Sequence, residues 1–264
     1  MAGTRQTAAR VLERGDIFFF YRPDAGQDAP EGLLDVRRFH VVLRPAGKDQ
    51  IRLITVGRKT LPDAGGGDDG GGRDRTHWAF VERVFDDPEG LRAMLAGGDA
   101  GAEDRGGRPL PPARPAGEGV YALVRHGRDT QLAYVLELPR KPGAVQRAFH
   151  IEPEGRYVLS VKNPQAPSPE GVGLDDGQRP AFPEELMERF GSRKWSPADP
   201  PDFLDHEGAE LVLIAGRDRV GAADELGIEL DPQPEDEDSA EVFRDLRLEN
   251  TGRNLKPLFE GTWE

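Results

Sequence analysis

Six cationic side chains stand where apolar runs end. Arg22 follows Ile17 to Tyr21, Arg44 follows Phe39 to Leu43, and Arg58 and Lys59 follow Arg52 to Val56. Arg125 follows Val120 to Val124 and Lys162 follows Tyr157 to Val161, with His40 and His126 nearby. Guanidinium and ammonium groups hold phosphate and carboxylate oxygens through short, charge-assisted hydrogen bonds. If these runs are strands paired up and down, the ends that share a rim converge on an anion site suited to a nucleotide, a phosphate or a nucleic-acid backbone. A plainer role also fits, in which the charges keep the ends of hydrophobic strands soluble. The residues expected to contact a ligand are Arg22, Arg44, Arg58, Lys59, Arg125, His126 and Lys162.

The run Leu123-Val124-Arg125-His126-Gly127 resembles the strand-end motif of the histidine phosphatase family, in which the His accepts a phosphoryl group and the Arg binds phosphate. That resemblance implies catalytic roles for His126 and Arg125. In the family the motif leads from a strand towards a helix in a doubly wound domain. Here Gly127 falls between two apolar runs, where a β-hairpin needs a left-handed turn residue. A second stretch, Glu13-Arg14-Gly15-Asp16-Ile17 with the later Phe39 to Pro45, is similar to the opening of the small barrel of toxin endoribonucleases of the MazF type. There the Arg-Pro pair precedes the second strand, whereas Arg44-Pro45 follows it. The resemblance thus implies a compact SH3-like barrel without the part tied to RNA cleavage.

Other chemistries find little support. The chain has no Cys, which removes disulfides, thiolate nucleophiles and cysteine-ligated metals. The histidines at 40, 77, 126, 150 and 206 form no His-x-His or His-x-x-x-His pair, and the flanking acids of Asp205-His206-Glu207 suit an exposed turn. No Ser sits in a nucleophile-elbow frame. The Gly65 to Gly72 run contains Asp68 and Asp69 and leads into no Lys-Ser or Lys-Thr, so it reads as a spacer. No metal site and no cofactor are expected.

The elements that would position the cations are β-strands. The five runs named above, with Leu132 to Leu138 between the last two, are rich in aromatic and β-branched residues and bounded by Gly, Pro or Asp. His77 to Val84 alternates as a further strand, and Asp87-Pro88 opens a helix to about Leu95. Phe182 to Phe190 reads as a short helix and Glu210 to Ala215 as an apolar strand. The expected fold is α+β and mainly β. It has two small antiparallel units, SH3-like barrels or an internal duplication, with a few short helices and an acidic C-terminal region. The expected organisation is a first unit over 1–96, a flexible linker over 97–118, a second unit over 119–230 and an acidic, partly disordered tail over 231–264.

Charge follows the same division. Residues 1–62 hold 11 Lys and Arg against 7 Asp and Glu, and residues 119–164 hold 7 against 4, so both strand triplets are basic. Residues 165–264 hold 10 against 25, which places most of the net charge of −13 in the C-terminal third. An acidic average argues against a general nucleic-acid coat, while segregated charge points to charged partners. No stretch is long and apolar enough for a signal-peptide core or a membrane span, so a cytoplasmic location and no membrane partner are expected. The function expected from sequence is a non-enzymatic binding or accessory protein. It would contact a protein, a nucleotide or a nucleic acid through cationic strand ends, under the regulation of its acidic tail. The competing reading is a phosphate-ester hydrolase or nuclease using Arg125, His126 and Lys162.

Overall fold

The computed structural model describes residues 9–63, 75–97, 107–168, 173–174, 176–216, 226–236, 239–248 and 254–263. The spacer at Gly65 to Gly72 lies outside them. Nine strands lie among the described residues: β1 (Arg10–Pro23), β2 (Val36–Pro45), β3 (Ile51–Val56), β4 (Thr76–Phe85), β5 (Arg114–His126), β6 (Asp129–Leu138), β7 (Glu154–Lys162), β8 (Trp195–Pro197) and β9 (Glu210–Ala215). The helices are α1 (Pro88–Ala96), α2 (Ala144–Phe149), α3 (Glu184–Phe190), α4 (Glu241–Arg244) and α5 (Lys256–Phe259). All six strand runs, the His77 strand, both helices and the Glu210 strand expected from sequence are among them.

The two triplets do not close separately. Antiparallel pairing runs β1-β2-β3-β4-β9-β7-β6-β5, and β5 pairs back onto β1, which closes one eight-stranded barrel with β8 as an extra edge on β7. Each half is an up-and-down meander, β1-β2-β3-β4 and β5-β6-β7-β9, and the halves join at β1–β5 and β4–β9. The closing strand begins inside the expected linker. Pro115 lies opposite Phe20 and Glu118 opposite Phe18, so residues 114–118 are barrel wall. Their Pro and Gly content hides this, yet the glycines serve close approach. A Cβ on Gly119 would lie 2.1 Å from the Val135 carbonyl oxygen.

Alternation along the strands fills the barrel. Ile17, Phe19, Val41, Leu43, Ile54, Leu132, Tyr134, Tyr157, Leu159, Leu211 and Leu213 surround a void of only about 10 Å³. Eight strands leave an interior that side chains can fill, and here they do. The lumen is a core and holds no ligand-sized space.

The continuous run Ile17 to Tyr21 is explained by burial on both faces. Phe18 and Phe20 point outward with Val42 and Leu53, and they are covered by Leu91 and Leu95 of α1 and by Val242, Leu246 and Leu258 of the C-terminal segment. The expected disordered tail therefore packs, in its described parts, on the barrel's own wall. A second stretch, with Leu226 and Ile228, covers Ala122, Val124 and Ala133 outside β5 and β6. One barrel end is closed by Phe149 of α2, stacked 4.9 Å from Phe39 and tilted against Trp263 at 5.6 Å. The other is closed by Phe182, Phe190 and Phe203 around α3 and the Pro201–Asp205 turn.

Candidate functional site

Antiparallel pairing sorts the strand-end cations onto two rims. Arg22, Arg58 and Lys59 stand at the end closed by α2, while Arg44, Arg125, His126 and Lys162 stand at the end closed by α3. Arg22 is buried and donates to the carbonyl oxygens of Met94 and Pro111, both at 2.6 Å, tying α1 to β1. Lys59 donates to the Val36 carbonyl, and Arg58 is exposed on the adjoining turn. Lys162 is 1 % exposed and its ammonium lies 2.6 Å from Glu210 Oε2. Arg125 reaches Asp199 at 3.5 Å and the Gly127 carbonyl at 3.2 Å, while His126 is half-buried at the hairpin. Gly127 has φ +61°, the left-handed value that the hairpin turn requires.

His40, Thr55 and Glu82 hold hydrolase-like types in contact. Thr55 Oγ1 lies 2.9 Å from His40 Nδ1 and donates to Glu82 Oε2. The imidazole is only 2 % exposed, and burial together with the charges of Arg22 and Arg38 pushes its pKa down to about 3. A neutral imidazole that serves as donor to a buried hydroxyl satisfies that hydroxyl and does not activate it.

A cleft of about 370 Å³ opens where the α3-side rim, the start of α1 and the C-terminal segment meet. Four cations line it: Arg44 from the end of β2, Lys48 from the β2–β3 turn, and Arg244 and Arg247 from α4 and the residues after it. Arg44 is the only one of the seven expected ligand residues among them. The α1 side is shaped by Asp87, whose side chain caps the helix by accepting from the Gly90 amide at 2.9 Å, with Pro88 at the first turn. Each cation is already held by acids. Arg44 Nη1 lies 3.2 Å from both Asp16 and Asp245, Arg247 lies 2.7 Å from Glu89, and Arg244 lies 2.6 Å from Glu241. Lys48 lies within 3.7 Å of Glu13, Asp202 and Asp205.

Below this cleft the C-terminal segment meets the barrel through carboxyl groups. Asp16 of β1, Glu118 of β5 and Glu137 of β6 face Glu235, Glu241 and Asp245. Glu118 is fully buried and accepts from the Glu241 and Val242 amides at 3.1 and 2.9 Å. Burial, then its hydrogen bond with Glu235, pushes the Glu118 carboxyl up to about 9. Burial also raises Glu137 and Glu241 to about 7, with nearby acids adding to both, and raises Asp16 against the pull of Arg44. One oxygen each of Asp16, Glu241 and Asp245 fall within 4.8 Å of one another, a spacing that oxygen ligands of a single cation adopt. Sequence reasoning missed this cluster, because its members come from four separate stretches. The signal available was an acid inside a strand, as at Glu118 and in Leu136-Glu137-Leu138.

Comparisons with protein-family models, with curated proteins and with solved structures find no significant match for this chain. No helix among the described residues is long and apolar enough to cross a membrane.

Proposed function

We propose that the protein is a non-enzymatic binding or accessory protein that takes a phosphate-bearing anion, such as a nucleotide, in the cleft between the barrel rim, α1 and the C-terminal segment. The observation that carries this reading is the convergence of Arg44 and Lys48 with Arg244 and Arg247, from two distant stretches of the chain, on one polar cleft of about 370 Å³. A cleft of that volume lies within the range of small-ligand sites, and fork-like guanidinium donors suit phosphate oxygens. The filled lumen turns attention to this outer surface. Among the described residues, Leu34 and Ile214 are the exposed large hydrophobics, which favours polar over apolar recognition. Because each cation is paired with an acid, the ligand displaces existing ion pairs, and binding is weak and salt-sensitive.

Calorimetric titration of ATP and of inorganic pyrophosphate at low salt tests the reading. One equivalent should bind, with a loss of about tenfold or more in the exposed double variant R244A/R247A. Absence of binding by either probe, or equal binding by the double variant, rejects it. Turnover of a phosphate ester that disappears in H126A would favour the hydrolase instead.

A further inference from the structure

We propose that Asp16, Glu241 and Asp245, with Glu137 beside them, form a site for a hard divalent cation of the Ca²⁺ type that staples the C-terminal segment to the barrel wall. Glu241 opens α4 and Asp245 caps its C-terminal end, and Asp16 meets them from β1, so a shared ion would bridge two packed layers. Hard cations take oxygen ligands from several carboxylates at once, in flexible geometry.

A cluster of acids alone would be a solvated surface feature. Two buried oxygens say otherwise. Glu137 is 6 % exposed, its Oε1 accepts from the Gln233 amide, and its Oε2 has no hydrogen-bond partner; Glu241 Oε2 is likewise buried without one. Buried carboxylate oxygens in proteins are nearly always satisfied, so two orphans in one cluster mark a missing positive partner. Charge counting agrees. Asp16, Glu118, Glu137, Glu235, Glu241 and Asp245 share the guanidiniums of Arg44 and Arg244, which leaves an excess of acid.

This inference stands whether or not the cleft takes an anion, since the carboxylates are the ligands. Calorimetric titration of CaCl₂, and separately of MgCl₂, into the chelator-treated full chain at neutral pH tests it without any phosphate compound. Wild type should bind one equivalent and melt at higher temperature in Ca²⁺, with Mg²⁺ the weaker ion. D245N and E241Q should each lose about tenfold or more in affinity and most of the thermal shift. Both variants relieve like-charge repulsion but also give up exposed ion pairs to Arg44 and Arg244, each worth little, so their metal-free melting should stay close to that of wild type, which separates a lost ligand from a damaged fold. K48Q, at the cleft but outside the acid cluster, should bind Ca²⁺ as wild type does. No stoichiometric binding of either ion, or unchanged affinity in D245N and E241Q, overturns the proposal.

Discussion

Arg52 and Glu13 meet inside the barrel end as a bidentate pair, with Nη1 2.6 Å from Oε1 and Nη2 3.0 Å from Oε2. The Arg52 side chain is fully buried and Glu13 nearly so. Asp205 closes the other side of the guanidinium at 2.7 Å from Nε, and the Tyr121 hydroxyl donates to Glu13 at 2.8 Å. Every strong group in this plug has a partner, which is the condition for tolerating buried charge.

Removing one partner should therefore cost far more than removing both. E13Q leaves the guanidinium short of charge in a dry site and should destabilise by about 3–5 kcal/mol, while the double variant E13Q/R52M should recover part of that loss. Chemical denaturation of the four members of the double-mutant cycle measures the coupling. Additive effects of the two changes would show that the plug contributes no pairwise energy.

Little of this plug was legible in the sequence. Arg52 begins an apolar strand and reads as a flanking charge, and nothing in its neighbourhood says that Asp205, 153 residues away, will cap it. Strands β1 to β7 and β9 could be read because each is a local run of apolar, β-branched or aromatic residues, most of them bounded by turn residues. Barrel closure could not, because β1–β5 and β4–β9 pair across long separations and no local pattern encodes a long-range register. Helix α2 is only six residues long, too short to show a helical period. The strand-end cations were legible as a set, but burial then spent Arg22 and Lys162 on carbonyl and carboxylate partners, and only Arg44 reached the cleft. The tail over 231–264 reads as acidic and partly disordered, and no local pattern in it says which surface its apolar residues meet; Val242, Leu246 and Leu258 cover Phe18 and Phe20.

Docking of that segment depends on one buried acceptor. Glu118 takes the amides of Glu241 and Val242, two of the donors that start α4. E118A leaves the Val242 amide without a partner and the Glu241 amide with Glu235 alone, and should cost about 1–3 kcal/mol, while E118Q keeps one acceptor oxygen and should cost less. Hydrogen exchange of residues 239–248 reads the effect directly. Faster exchange in E118A than in E118Q is expected, and equal protection in both variants would show that apolar contacts alone hold the segment.

His40 makes stability depend on pH. Its folded pKa is pushed down to about 3, from the ordinary 6.5, by burial and by Arg22 and Arg38, so the folded protein resists its protonation. In the unfolded chain the imidazole takes up a proton near its ordinary value. Stability from this group is thus complete above pH 6.5 and is lost as pH falls from there towards 3, with a limiting slope of about 1.4 kcal/mol per pH unit. Arg22 and Arg38 stay charged throughout, and Glu82, 3.7 Å from Nδ1, would favour the proton, yet its oxygen is engaged by Thr55. H40N keeps a polar contact to Thr55 and removes the titration, so its unfolding free energy should fall less steeply than that of wild type between pH 6.5 and 5. Urea denaturation at a series of pH values compares the slopes. Parallel profiles would mean that His40 titrates alike in both states and that its burial is relieved by local opening.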